Sequence, residues 1–325
     1  MAKLNMVEAL NLALKEEMER DPRVIVMGED VGREGGVFRV TDGLQQKFGA
    51  SRVIDTPLAE SGIVGAAFGM AVNGLRPVAE IQFEGFLYPC LDQITNHIGR
   101  IRNRSRGRFT APLVIRSPYG GGIHAPEHHS DSPEALFIHT PGIKVVIPST
   151  PSEAKGLLSS SIREPDPVVF LEPKRIYRAI REEVPEGDHP IPLGKARMVR
   201  EGKDVTIIVW GAMTRETVAA AEQLMAEKIE AEIIDLRTLS PMDTEAIITS
   251  VKKTGRAVVV HEAPRTCGPG AEIVALITEK AFLSLQAPVE RVTGFDIPVP
   301  LSKSEHYYLP NPKRIVMAAK KVMNF

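Results

Sequence analysis

The feature that most constrains this chain is a series of short, nearly continuous apolar runs, separated by segments of helical character. Residues 24–27, 205–210 and 257–260 are examples. Uninterrupted apolar runs of this length are typical of strands buried on both faces, which occur in parallel sheets. Parallel strands need a crossover connection, and that connection is usually a helix. The alternation therefore predicts the α/β fold class, with parallel sheets covered by helices on both faces.

A polar stretch divides the alternation into two series. Residues 182–195 are rich in proline and acidic side chains, which is typical of a linker and not of a core segment. The chain has 325 residues, which is long enough for two domains. We therefore predict two doubly wound domains, 1–185 and 201–325, joined by a linker at 186–200.

Each predicted element has a range. The predicted strands are 24–27, 53–54, 78–83, 112–117, 143–147, 167–171, 205–210, 231–236, 257–260 and 289–292. The predicted helices are 7–18, 62–71, 88–101, 152–162, 215–228, 243–253, one from 270, and 312–323.

Composition and charge exclude several classes of protein. The formal net charge is -1, so the chain lacks the basic excess of a nucleic-acid-binding protein, and the arginines at 100–108 are interpreted as a solvated or subunit-facing surface. Only two cysteines occur, Cys90 and Cys267, which excludes a disulfide framework and fits a reducing compartment. No run approaches the ~20 apolar residues of a membrane span, and the N-terminus lacks the pattern of a signal peptide. We expect a soluble, cytoplasmic protein.

Segment 55–62 places a carboxylate at the start of a helix of small residues. Pro57 stops the preceding strand, and Glu60 is followed by Gly62, Gly65 and Gly69, whose spacing lets another backbone approach closely. Glutamate is rarely buried without a partner. Two interpretations stay open: a carboxylate stabilised by the dipole of the helix N-terminus, or a functional group.

A glycine-rich loop contains His124, His128 and His129, three of the chain's 8 histidines. With Glu127, the first two form the letter pattern of an inverted zinc-protease motif, which requires a helix so that both ligands share one face. Pro126 inside the pattern and the preceding glycines disfavour a helix. We therefore favour an active-site loop suited to acid/base chemistry over a zinc site or an incidental cluster.

Aromatic residues follow the predicted strand 78–83. Ligands of open α/β sheets bind at the carboxyl ends of strands, so Phe86 or Tyr88 either stacks on a flat ring or packs in the core. The glycines that follow Cys267 either form an anion site at a helix start or only make a turn. No hydrolase elbow, Walker loop or dinucleotide-binding loop occurs.

Together these stretches resemble one family, the beta subunit of the thiamine-diphosphate-dependent decarboxylating (first) component of 2-oxo acid dehydrogenase complexes. Its relatives within the superfamily, such as transketolase-like synthases, are the alternative. The resemblance implies an N-terminal pyrimidine-binding thiamine-diphosphate fold and a C-terminal transketolase-C-like domain. The matching segments run in order along the whole chain: 26–31, 55–60, 92–94, 129–134, 141–146, 235–238 and 320–325.

The resemblance assigns roles to individual residues. It implies that Glu60 hydrogen-bonds a pyrimidine nitrogen of thiamine diphosphate, and that this bond favours the imino tautomer whose nitrogen deprotonates the thiazolium carbon. Phe86 would pack on the pyrimidine, and Glu29, Leu58 and Gln82 would line the same pocket. His129 would act in transferring the acyl group to a lipoyl arm. His124 and His128 receive no role.

The resemblance also implies partners. The family's diphosphate and Mg²⁺ motif, Gly-Asp-Gly followed by an asparagine, is absent here, and in the family it lies on a separate alpha subunit. Two alpha and two beta chains would then form the enzyme and share each cofactor. The C-terminal region would dock the dihydrolipoyl acyltransferase core. A potassium ion would lie at the positions that match Leu113, Ser161, Glu164 and Asp166, two of which depart from the usual residue types.

The substrate implied is a 2-oxo acid. Segments 132–137, 170–174 and 261–264 look closer to branched-chain enzymes than to pyruvate enzymes. We therefore expect a 3-methyl-2-oxobutanoate dehydrogenase subunit, with pyruvate dehydrogenase and acetoin dehydrogenase as alternatives, active only with its alpha subunit. A non-catalytic scaffold that docks partners and a metal-dependent hydrolase are the other classes of function considered.

Overall fold

The computed structural model describes residues 2–325, which separate into two compact units. The first comprises the chain as far as Tyr119 together with Leu136–Leu193, and the second comprises Gly120–Ala135 together with Gly194–Phe325. Each unit contains its own mainly parallel sheet, which confirms the predicted α/β class. The predicted domain boundaries, 1–185 and 201–325, stay a prediction.

Buried strands form the centre of the first unit. The strands before residue 194 are β1 (Ala2–Leu4), β2 (Val24–Gly28), β3 (Val53–Asp55), β4 (Arg76–Glu80), β5 (Val114–Tyr119), β6 (Lys144–Val146), β7 (Val168–Pro173) and β8 (Glu182–Val184). Six of them lie parallel in the spatial order β6-β7-β5-β4-β2-β3, and β1 and β8 pair antiparallel as a separate ribbon. The continuous apolar runs are explained by this position, since β2, β5 and β7 are buried along their whole length.

Helices connect these strands. The α-helices before residue 194 are α1 (Met6–Arg20), α2 (Leu44–Phe48), α3 (Glu60–Val72), α4 (Ile101–Arg104), α5 (Glu134–Ile138) and α6 (Pro151–Arg163). Helix α1 begins where Asn5 and Glu8 form a capping box, and it buries one face that includes Leu10 and Leu14. It also contacts α6 through the ion pair between Glu17 and Arg163, 2.6 Å apart.

The strand order creates a topological switch point in the first unit. From β2 the chain passes to β3 on one side, and the next strand, β4, lies on the other side of β2. Connections that diverge in this way leave a crevice outside the carboxyl ends of the strands. The segments that follow β2, β3 and β4 border this crevice.

The second unit repeats the same plan. Its strands are β9 (Arg197–Arg200), β10 (Val205–Val209), β11 (Ala231–Asp235), β12 (Thr238–Ser240), β13 (Ala257–Val260) and β14 (Glu290–Val292), and its helices are α7 (Met213–Ala226), α8 (Thr244–Thr254), α9 (Pro269–Ala281), α10 (Glu305–Tyr308) and α11 (Pro312–Met323). The sheet order is β14-β13-β10-β11-β9, with only β9 antiparallel. Its switch point lies at β10, between β11 and β13.

Two predicted segments differ from the structure. The helix predicted at 88–101 is instead a 3₁₀ turn at Glu84–Cys90, a π-helix at Gln93–Ile98 and the short helix α4. Pro89 lies within the 3₁₀ turn, and the departure from a regular α-helix comes after it, where the wider hydrogen-bond pattern of a π-helix occupies Gln93–Ile98. Strand β4 ends at Glu80, before the predicted end at 83.

The polar stretch between the two series also contains regular structure. Glu182–Val184 pair with Ala2–Leu4, and Arg197–Arg200, which the prediction counts within the linker, form the antiparallel edge strand β9. Short strands at sheet edges lack the apolar runs of central strands, because their side chains are partly exposed. The sequence pattern therefore does not reveal them.

Buried charges in the first unit occur as pairs. Lys174 Nζ lies 2.8 Å from Glu84 Oε2, and both side chains are fully buried. Arg116 Nε donates to Glu172 Oε1 at 2.7 Å, and its Nη1 bonds Glu80. Because a buried charge without a partner is costly, these pairs hold the 3₁₀ turn after β4 and the strands β4, β5 and β7 in one arrangement.

Substitution of Lys174 tests this pairing. Lys174→Met leaves the Glu84 carboxylate buried without its cation, so we expect the free energy of unfolding to fall by about 3–5 kcal/mol. Chemical denaturation followed by circular dichroism measures the change. The control is Lys47→Met, which breaks the half-exposed pair with Glu19 and should leave the unfolding midpoint unchanged. Equal unfolding midpoints for the two variants would show that the buried pair contributes no more to stability than the half-exposed pair.

Candidate active site

The crevice at the switch point of the first unit gathers the side chains predicted for cofactor binding. Glu29 follows β2, Leu58 and Glu60 follow β3, and Gln82 and Phe86 follow β4. The carboxyl ends of parallel strands meet at one edge, so residues far apart in sequence come together there.

Backbone contacts fix the segment that leads to Glu60. The Asp55 carboxylate accepts hydrogen bonds from the amides of Gly32 (2.5 Å) and Arg33 (3.1 Å). The Thr56 amide donates to the Gly28 carbonyl at 2.9 Å. The loops after β2 and β3 are thus fastened to each other. Glu60 is the first residue of α3, where a carboxylate is favoured by the helix dipole.

The carboxylates of Glu29 and Glu60 influence each other. Glu29 is 9% exposed, and its Oε1 is buried without a hydrogen-bond partner. Burial raises the pKa of Glu29, and the charge of Glu60 raises it further. Burial and then the charge of Glu60 also raise the pKa of the Cys90 thiol to about 12. Glu60 itself is half-buried.

Aromatic and apolar side chains complete this edge. Phe86 is half-buried and meets Phe83 edge-on, with ring centroids 6.3 Å apart. Gln82 Nε2 donates to Asp30 at 3.1 Å. Leu58 is 78% exposed. The edge therefore offers a carboxylate, an unpaired buried oxygen, an aromatic face and an apolar side chain, which together fit a flat heterocycle with ring nitrogens.

His129 lies in the second unit, on the loop that joins β5 to α5. His129 is half-buried, and its Nδ1 is 2.7 Å from the Glu127 carbonyl oxygen. A carbonyl only accepts, so Nδ1 carries the proton in this hydrogen bond and Nε2 is the basic nitrogen when the ring is neutral. His124 and His128 both have positive φ, which rules out the helix that the zinc-protease motif requires.

The same loop occupies the switch point of the second sheet. Trp210, which follows β10, donates from Nε1 to Glu134 Oε1 at 3.2 Å and stacks on His261, which follows β13, with ring centroids 5.1 Å apart. Burial lowers the pKa of His261 to about 3, so its ring is neutral. The Gly121 amide donates to Glu262 at 3.0 Å. In this unit the chain's own loop therefore lies where a ligand binds in other open sheets.

Metal sites have little support in the described part of the chain. Among residues 2–325, no group of three or more His, Cys, Asp or Glu side chains is arranged to hold a metal ion. Of the predicted potassium positions, Glu164 pairs with Lys144 at 2.6 Å and Asp166 with Arg102 at 2.6 Å. Arg76 also donates to the Glu164 carbonyl at 3.2 Å. Two of the four predicted ligands thus already face cationic groups, and the potassium site stays a prediction.

Comparison with known proteins defines the family. Residues 2–179 match the family described as transketolase, pyrimidine binding domain, and residues 194–315 match transketolase, C-terminal domain. The pyruvate dehydrogenase E1 component subunit beta of Acholeplasma laidlawii is 55% identical over 322 residues, which cover 99% of this chain and 98% of that protein. The chain belongs to the beta-subunit family of 2-oxo acid dehydrogenases. The family is thiamine-diphosphate-dependent.

Other relatives in the family agree with this assignment. The protein of the same name from Bacillus subtilis (strain 168) is 54% identical over 325 residues, and one from Staphylococcus aureus is 53% identical, each over 100% of both chains. A solved structure titled "Split gene transketolase, inactive beta4 tetramer" shares the fold, with a TM-score of 0.81 and 24% identity over 99% of both chains. The predicted pair of thiamine-enzyme domains is confirmed.

Two expectations, the substrate preference and the cellular location, have a different outcome from the fold. These relatives bear the name pyruvate dehydrogenase, so the expected preference for branched-chain substrates has no support among them. Within residues 2–325, no helix is long and apolar enough to cross a membrane. A cytoplasmic location stays a prediction.

Sequence reasoning missed several residues of the site. Cys90 lies close enough to Glu60 for the two to interact, although neither spacing nor motif relates them. Asp55 belongs to the matching segment 55–60, but its role in fastening two loops depends on the pairing of β2 with β3. Glu134 belongs to the matching segment 129–134, and its partner Trp210 follows the strand β10. These relations arise from sheet order, which the sequence pattern alone does not fix.

The pH dependence of stability tests the state of Glu134. Burial raises the pKa of Glu134 to about 7, because the charged form of its carboxyl group has no cation beside it and its Oε2 has no hydrogen-bond partner. The folded state then holds a proton that the unfolded chain releases near pH 4.5, so stability decreases as pH rises from about 4.5 to 7. Each unit of pKa difference corresponds to about 1.4 kcal/mol.

The isosteric variant Glu134→Gln keeps the acceptor for Trp210 and does not ionise. We therefore expect the stability of the variant not to fall over this pH range. Between pH 5 and pH 8, the free energy of unfolding of the wild type should decrease relative to that of the variant by on the order of 3 kcal/mol. Urea denaturation at a series of pH values measures both curves. Parallel curves would show that Glu134 does not titrate in this range.

Proposed function

We propose that this chain is the beta subunit of a pyruvate dehydrogenase and supplies one half of a thiamine-diphosphate site. The observation that carries the proposal is the convergence of Glu29, Glu60 and Phe86 at the switch point of the first sheet. The proposal is supported by relatives 53–55% identical over almost the whole chain. Acetoin and branched-chain 2-oxo acids are the alternative substrates.

The residues of the crevice fit the pyrimidine half of the cofactor. Glu60 would share a proton with a pyrimidine ring nitrogen, and Phe86 would pack on the ring face. The buried and unpartnered Oε1 of Glu29 would accept from the ring's amino group, and Leu58 and Gln82 would line the rim. When bound, the cofactor supplies the carbon nucleophile and electron sink for decarboxylation. Glu60 contributes by holding a proton at the ring nitrogen and by setting the tautomer of the ring.

His129 would act in the second half-reaction. Its Nδ1 is held by the Glu127 carbonyl, and Nε2 would exchange a proton with the lipoyl group as the acyl group is transferred. The reaction as a whole is the oxidative decarboxylation of a 2-oxo acid coupled to reductive acylation of a lipoyl group.

Two exposed surfaces support the proposed partners. The outward face of α3 contains Gly62, Ala66 and Gly69, which permit the close approach of another subunit in a tetramer of two alpha and two beta chains. The alpha subunit would supply the Mg²⁺ ligands. In the second unit, Leu283 (96% exposed) and Phe325 (81% exposed) line an apolar groove near the C-terminus, which supports docking of the dihydrolipoyl acyltransferase there.

Glu60→Gln tests the catalytic assignment. The amide keeps the size of the side chain but cannot exchange a proton with the ring nitrogen, so we expect decarboxylation to fall by about 10²–10⁴-fold. The assay uses the complex with the alpha subunit, thiamine diphosphate and Mg²⁺, with pyruvate and an artificial electron acceptor.

The matched control for this assay is Glu186→Gln, at an exposed position, which should retain full activity. Full activity of the Glu60→Gln complex would refute the role of Glu60. An inactive wild-type complex, properly assembled, would instead favour the non-catalytic scaffold.

A substrate panel tests the choice of 2-oxo acid. With the same complex, we expect kcat/KM for pyruvate to exceed that for 3-methyl-2-oxobutanoate by about tenfold or more, since added methyl groups in a pocket shaped for a smaller side chain cost ~1–3 kcal/mol. Acetoin serves as the third substrate. The reverse order of the two oxo acids would restore the branched-chain assignment.

A further inference from the structure

We propose that Glu305, close to the C-terminus, is a positioning residue that holds the His129 loop in its working shape. This inference rests on the proposed function, in which His129 acts in transfer of the acyl group. Glu305 and the loop both belong to the second unit, although more than 170 residues of sequence separate them.

Three contacts join Glu305 to the beginning of the loop. Its Oε1 accepts a hydrogen bond from the Gly122 amide at 2.6 Å, and its Oε2 accepts one from the His124 amide at 2.9 Å. His124 Nδ1 also lies 3.1 Å from Oε2. The carboxylate is 2% exposed, so water does not replace these donors. Both oxygens are used, and only a carboxylate presents two acceptors to two backbone amides in this way.

The loop needs such a constraint because its backbone is in an unfavourable conformation. His124 (φ 58°) and His128 (φ 64°) are both in the left-handed region, which non-glycine residues rarely adopt. Neither residue is in a helix or strand that would enforce this conformation. A turn hydrogen bond within the loop, from the His129 amide to the Pro126 carbonyl at 3.2 Å, spans His128, whereas the amide of His124 donates to Glu305 outside the loop.

A second buried carboxylate acts on the adjacent residue. Glu262 accepts from the Gly121 amide at 3.0 Å, and a Cβ at Gly120 would lie within 2.9–3.0 Å of the Glu262 carboxylate oxygens. Glu262 and Glu305 together hold consecutive residues of the glycine run from two different elements. These contacts fix the backbone at the start of the loop. The positions of the residues that follow, including His129, depend on that fixed start.

The structure also explains why His124 and His128 receive no catalytic role. Both side chains are exposed, and His124 Nδ1 lies 3.1 Å from Glu305 Oε2. The backbone amide of His124 donates to the same oxygen at 2.9 Å, and this hydrogen bond does not depend on the ring. A change of the His124 ring should therefore matter much less than a change of Glu305.

Glu305→Gln is the decisive variant. One end of the amide accepts a hydrogen bond, but its NH₂ group faces a backbone N–H and leaves that buried donor unpaired. In the assembled complex with alpha subunit, thiamine diphosphate and Mg²⁺, we expect reductive acylation of a free lipoyl domain to fall by about 10–100-fold, because the histidine is displaced. Decarboxylation of pyruvate with an artificial electron acceptor should change little.

Controls separate positioning from general damage. His128→Asn changes an exposed side chain of the same loop and tolerates positive φ, and His124→Asn removes the ring but keeps the backbone amide that bonds Glu305. Both should acylate at nearly the wild-type rate. Hydrogen exchange should show faster exchange of the Gly122 and His124 amides in Glu305→Gln and unchanged exchange in β10 and β13.

The outcomes are distinct. Normal acylation by Glu305→Gln, together with loss of acylation by His129→Ala, would overturn the positioning role and leave the proposed function intact. Equal loss of both half-reactions, or loss of protection throughout the second unit, would show that Glu305 is merely structural and would also overturn the proposal. Normal acylation by His129→Ala would refute the proposed role of His129. Unchanged hydrogen exchange of the Gly122 and His124 amides in Glu305→Gln would refute the proposal that Glu305 constrains the loop.

Discussion

The convergence of parallel strands at one edge is the constraint on which the rest of the structure depends. In each unit the chain leaves a central strand on one side and returns on the other, so a crevice opens where the connections diverge. In the first unit the bordering segments contribute Glu29, Glu60 and Phe86 to the crevice. In the second unit the loop of Glu134 and His129 fills the corresponding place, where it contacts Trp210 and Glu262. One architecture thus provides an open edge in one unit and an edge covered by a functional loop in the other.

Buried carboxylates show how the surroundings decide the role of a side chain. Glu84 is fully buried beside the Lys174 ammonium, and this pair has a structural role. Glu134 meets an indole N–H and no cation, and burial raises its pKa to about 7. Glu305 is satisfied by backbone amides of a strained loop. Glu29 has a buried oxygen without a partner at the open edge of the first sheet, where a bound molecule would satisfy it.

The sequence was most informative where local patterns and fold agree. The buried strands β2, β10 and β13 follow from apolar runs, and the ends of α1 and α6 follow from their caps. Edge strands such as β9 were missed because partial burial leaves no apolar run. The contact of Glu305 with the loop could not be predicted, since Glu305 lies in a short helix without apolar periodicity, and its partners are backbone amides that leave no mark on the sequence. Resemblance assigned the site residues, but sheet order explains why they meet.

The state of the crevice indicates why the proposed site needs a second chain. Glu60 is only half-buried, and Leu58 is largely exposed. The proton affinity of a reactive carboxylate is set by its surroundings only when water is excluded from it. Helix α3 behind Glu60 is apolar on most of its residues, yet its Gly62, Ala66 and Gly69 face outward. A row of small residues on an exposed apolar helix contributes little to the stability of a monomer. It does allow the backbone of a partner to pack closely and to cover the edge. Closure of the crevice by another subunit would therefore bury Glu60 and shield the cofactor at once, which links assembly to activity.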